Sequence, residues 1–147
     1  AAQFKPHDRV VATLSLKNIV VGAPVKEPGA TWGGPSDKAI THGGGFRGIN
    51  YNLAALAPTL HPHLAVIDGY EGLQGNGPIY GTPVDQKVCV AGMDWLAADR
   101  VAVDAVGVAL LRLHGTNPTV AQGAVFDQEQ IARAAQLGLG VKGPEQI

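Results

Sequence analysis

Two carboxylates, Asp68 and Glu71, head a glycine-rich run that continues through Gly72, Gly75, Asn76, Gly77, Pro78 and Gly81. Acids this close suit a hard divalent cation such as Mg2+ or Mn2+, which selects oxygen ligands, and they suit general acid and base work equally. Glycines let backbone amides come close to a phosphate or carboxylate. A structural reading stands beside each chemical one: the run as a tight connection needing positive φ, Asp68 as a cap on the next turn, Glu71 as a solvated loop charge. The run lacks the G-x-G-x-x-G spacing of a dinucleotide fingerprint, and no Gly-Lys-Ser/Thr follows it, so neither nucleotide cradle applies.

Other side chains with chemistry to offer are scattered. Lys17 could neutralise an anion and Asn18 orient it, against the plainer reading of a surface lysine before a turn-forming asparagine. His42 precedes Gly43, Gly44 and Gly45 as in an oxyanion-hole segment, but the only serines, Ser15 and Ser36, lie in no G-x-S-x-G elbow. His42 stays open as a general base, a metal ligand or a plain loop histidine. His61 and His63 read as a polar turn, because no third metal ligand is near in sequence. Asp94, Asp99 and Asp104 recur every five residues, a helical step of about 140° that denies them a common face. Asp94 or Asp99 suits a helix N-cap. Asp104 stands among Val101, Val103, Ala105 and Val106, so it is either paired with Arg100 on the helix surface or faces a cavity as a further metal ligand. Cys89, between Val88 and Val90, reads as a core thiol.

Strands and helices must position these groups. Val10 to Leu16 is apolar and rich in β-branched residues, and predicts a buried strand ending at Lys17-Asn18. Pro24, Pro28, Pro35 and many glycines make residues 20–48 a long excursion. Leu53, Leu56 and Ala57 fall at helical spacing before Pro58, and Leu64 to Asp68 has the form of a buried parallel strand. Lys87 to Gly92 predicts another strand. Helices follow, one within Asp94 to His114 stopped by Gly115 and one over Gln128 to Leu137 closed by Gly138. The alternation predicts a layered α/β domain with a mostly parallel or mixed sheet, and such folds hold ligands at the carboxyl ends of their strands.

Composition narrows the function classes. At 147 residues, 46% hydrophobic and 16% charged, the chain supports one globular domain. A net charge of -1 with no basic stripe argues against nucleic acid. No apolar run reaches the roughly 18 residues of a membrane span, and the start has no signal-peptide layout. The single cysteine excludes an iron–sulfur cluster built by this chain alone and leaves the compartment, cytoplasmic or exported, open.

The order and spacing of several motifs resemble a prokaryotic family known as domain of unknown function 362. They are Leu16-Lys17-Asn18 with Gly22, Thr41-His42-Gly43, Val66-Ile67-Asp68-Gly69, Glu71-Gly72, Gly75-Asn76-Gly77-Pro78, Gly81, Ala91-Gly92, Asp99 through Val106 and Gly138-Leu139-Gly140. The resemblance implies that Lys17 and Asn18 belong to the site with Asp68. It implies too that the chain is the later part of a longer domain, without the ferredoxin-type module that many relatives carry. The resulting expectation is a small anionic ligand held by Lys17, Asn18, Gly72, Gly75, Asn76 and Gly77, with a divalent cation on Asp68 and Glu71 and proton transfer by His42. The alternative expectation is an assembly module that docks an iron–sulfur protein or another copy of itself.

Overall fold

The computed structural model describes residues 2–7, 10–22, 45–76, 80–93 and 99–147. The chain opens with short strands β1 (Ala2–Gln3), β2 (Lys5–Pro6) and β3 (Ala12–Thr13), then helix α1 (Ser15–Gly22). Helix α2 (Gly45–Leu56) leads to the long strands β4 (Leu64–Asn76) and β5 (Tyr80–Met93). Helices α3 (Arg100–His114), α4 (Pro118–Ala121) and α5 (Glu129–Gln136) complete it. One sheet has the order β1-β4-β5, with β1 parallel and β5 antiparallel to β4, and β2 and β3 form a separate antiparallel pair. The mixed sheet and flanking helices make this an α/β domain, as the alternation predicts.

Helix α3 packs across β4 and β5, and α1 lies against both α2 and α3. Gly92 meets Val103, and Gly107 meets Leu14 and Ile67, so glycine on each side lets helix and sheet come together closely. Leu14, Ile49, Ile67, Val101, Val108, Leu111 and Ile131 fill the core. Side chains alternate along a strand. With Ile67 turned toward α3, the opposite sheet face carries Leu64, Asp68, Tyr70, Cys89 and Met93, all exposed. Cys89 is therefore a surface thiol on an edge strand, not the core thiol its valine neighbours suggest.

Two of the differences from the sequence reading bear on the site. The strand expected over Val10 to Leu16 shrinks to Ala12–Thr13, and the chain turns into α1 at Ser15. Lys17 and Asn18 thus ride on a helix and do not end a strand. The cause is remote in sequence: Asp104 of α3 accepts from the amides of Ser15 at 2.7 Å and Leu16 at 3.1 Å, which satisfies the helix N-terminus. The glycine run is the second difference. It is the outer half of a β-hairpin, paired from Leu64↔Met93 to Asn76↔Tyr80, and not a loop after a short strand. Close packing accounts for Gly69 and Gly72. A Cβ on Gly69 would lie 2.3 Å from the Phe4 ring, and one on Gly72 would lie 2.6 Å from the Gln86 side chain. Among the described residues of the run, Gly75 takes a positive φ, 89°.

Candidate functional site

Asp68 sits where three strands meet. It pairs with Gln3 of β1 and with Cys89 of β5, and its carbonyl accepts from the Phe4 amide at 3.2 Å. Its carboxylate is exposed, and Oδ1 accepts from the Tyr70 amide at 3.0 Å, a local bond that fixes the side chain yet leaves Oδ2 for other partners. Just beyond it the β4–β5 ladder shifts register between Gly69 and Glu71, opposite Lys87, a non-glycine residue at φ 53°. Such irregularities re-aim side chains next to sites.

Two clefts open on either side of Asp68. The first, about 390 Å3, is lined by Gln3, Phe4, Lys5, Asp68, Tyr70, Glu71, Gly72, Leu73 and Pro83. The second, about 270 Å3, is lined by Ala2, Gln3, Lys5, Thr13, Asn18 and Asp68. Gln3, Lys5 and Asp68 form the wall that both share. The first cleft holds two carboxylates and one ammonium in an open hollow, a set able to hold an anion, a cation or a ligand carrying both. Among the described residues no three His, Cys, Asp or Glu side chains converge as a metal site, so a cation here would complete its shell with ligand oxygens and water.

The expected site residues fall into three groups. Asp68, Glu71 and Gly72 share the first cleft, and Asn18 joins Asp68 in the second. Lys17 lines neither; it lies one position along α1 from Asn18 with only 7% of its surface exposed. Gly75 is far along the hairpin. His42, Gly77 and the Asn76 side chain lie outside the described residues.

Asp104 is separate from this site. Fully buried, it accepts from Ser15 and Leu16 and from Gln130 Nε2 at 2.7 Å, which occupies both of its oxygens. Burial raises its pKa to about 7 against the opposing pull of these hydrogen bonds and of Arg100. Arg100 is itself buried, not on a helix surface, and donates through Nη2 to the Ala57 carbonyl at 3.1 Å. Burial lowers its pKa, and Asp104 partly offsets that.

Gln3 and Lys5 are the residues that sequence reasoning passed over. Their signal was present: Ala2-Gln3-Phe4-Lys5-Pro6 alternates apolar and polar with a period of two, and Ala2, Phe4 and Pro6 are the buried members. The run is too short to stand out before its partner strands are known.

The pattern of the family described as Domain of unknown function (DUF362) matches residues 1–104. The chain belongs to that family. The match takes in β1 through the Asp104 turn of α3, so it includes both clefts and every residue that lines them. A DUF362 chain is thus the frame for Lys17, Asn18 and Asp68 alike. Thylakoid-associated protein sll1697 of Synechocystis is 27% identical over 128 residues, covering 82% of this chain. The chain spans 38% of that protein's length. No solved structure matches. Among the described residues, no helix is long and apolar enough to cross a membrane.

Proposed function

We infer that this domain binds a small anionic molecule, a carboxylate or a phosphate, together with a divalent cation in the cleft beside Asp68. One observation carries the reading: Asp68, Glu71 and Lys5 line a single open hollow. Lys5 is the group to neutralise the anion, taking the role that the sequence assigned to Lys17. Asp68 and Glu71 supply the oxygen ligands. Mg2+ commonly binds through one or two carboxylates and completes its octahedron with ligand phosphate and water, so two acids suffice.

Calorimetric titration with inorganic phosphate and propionate, with and without Mg2+ or Mn2+, tests this directly. Either metal is expected to strengthen anion binding. Asp68→Asn removes that enhancement, and Lys5→Ala weakens the anion by about tenfold, the scale of one charge-assisted hydrogen bond. Binding that is unchanged in both variants would sink the reading.

A further inference from the structure

The second cleft carries an observation that the first does not explain. Thr13 lines it with only 6% of its surface exposed, and its hydroxyl has no hydrogen-bond partner among the described residues. Burying a hydroxyl unpaired opposes folding, and buried polar groups are paired in nearly all proteins. A polar group in a cleft that needs one more partner is a place for a ligand atom.

Strand register defines what stands around it. Lys5 and Thr13 are directly opposed across β2 and β3, so the two side chains project to the same side of that ribbon. Gln3 and Asp68 are opposed across β1 and β4 in the same way. The wall therefore presents an ammonium beside a hydroxyl, and an amide beside a carboxylate, with Asn18 of α1 completing the lining. At about 30 Å3 per water the hollow has room for about nine waters, enough for part of a small polar molecule. The amides of Ser15 and Leu16 already donate to Asp104, so this end of α1 does not offer them to an anion.

We propose that this cleft is the hydroxyl-binding subsite of the domain, and that its ligands are small hydroxylated anions, hydroxy acids or sugar phosphates, with Thr13 bonding a ligand hydroxyl. The proposal deepens the anion-binding reading and rests on it. Lys5, shared by both clefts, holds the charged end, while Thr13 and Asp68 bond the hydroxyl groups beyond it. A neutral hydroxyl suits the buried Thr13 better than an ammonium, whose charge would lose its hydration there.

Paired ligands provide the test. Binding of D-glycerate is compared with propionate and with β-alanine, and binding of glycerol 3-phosphate with inorganic phosphate, by calorimetry on the wild-type chain and on Thr13→Val and Thr13→Ser. In the wild type the hydroxylated member of each pair should bind about tenfold or more tightly, since sites built around a hydroxyl reject analogues lacking it. Thr13→Val should abolish that preference, whereas Thr13→Ser should keep it. Preference in the carboxylate pair alone assigns hydroxy acids, and in the phosphate pair alone sugar phosphates. Equal binding within both pairs overturns the subsite and leaves the anion site standing. A preference for β-alanine, or one that survives in Thr13→Val, overturns it as well. If no anion binds at all, both readings fall. The wild-type comparison decides even should Thr13→Val fold poorly.

Discussion

Asp104 shows how much one side chain can organise. Its two oxygens close the N-terminus of α1 and tie α5 through Gln130, yet the group is fully buried and its pKa stands near 7, raised chiefly by burial. An acid whose folded pKa exceeds its unfolded value of 3.8 binds a proton in the folded state that the unfolded chain has already released. Stability from this group therefore declines as pH rises from about 4 to about 7 and levels off above, with a slope of at most about 1.4 kcal/mol per pH unit. Urea unfolding at pH 5, 6, 7 and 8 should show that decline in the wild type and a flatter profile in Asp104→Asn, which mimics the protonated acid. An identical slope in the variant would assign the pH dependence elsewhere. The sequence marked Asp104 as an acid that is either paired with Arg100, four residues away, or turned into a cavity as a metal ligand. The partners that matter lie 88 and 89 residues away in Leu16 and Ser15, a separation no local pattern reports.

The boundaries of α3 and α5 were the most legible, because capping chemistry is local. Asp99 caps α3 by accepting from the Ala102 amide at 2.8 Å, and Gly115 and Gly138 with positive φ follow α3 and α5. Asp99 does more than a cap requires, since its second oxygen accepts from the Val141 amide at 2.9 Å and holds the C-terminal segment against the start of α3. Asp99→Ala is expected to destabilise the protein by about 1–2 kcal/mol, at the upper end for a lost cap, and to speed amide exchange at both Ala102 and Val141. Protection lost at Ala102 alone would argue against the second role. Strands were less legible. Glycine and proline read as breakers, yet Pro83 is tolerated because β5 is the outer strand of its sheet, and the glycines of β4 are held by pairing with β5 and, at Gly69, by the remote Phe4 ring. Local propensity there opposes the fold, and tertiary pairing overrides it.

The whole molecule depends on its first few residues reaching the middle of the chain. Phe4 accepts from the Leu73 amide at 2.9 Å, donates to Asp68 at 3.2 Å and fills the space that Gly69 leaves open, thereby holding Gln3 and Lys5 beside Asp68. Phe4→Ala should cost about 3–5 kcal/mol, lowering the melting temperature by on the order of 10 °C for a chain this size. Anion binding should weaken in step, even at temperatures where the variant is folded; full-strength binding by a folded Phe4→Ala would separate the site from this segment. By itself the sequence determined the α/β class, the helical half with its caps, and the family. These depend on periodicity, capping and motif spacing, which are properties of neighbouring residues. Only the tertiary structure decided that Lys17 rides on a helix and lines neither cleft, that the glycine run is a hairpin, and that Lys5, Gln3 and Thr13 share Asp68's walls. Those facts depend on cross-strand register and on a carboxylate reaching across the fold, and such pairings exist only once the chain has closed on itself.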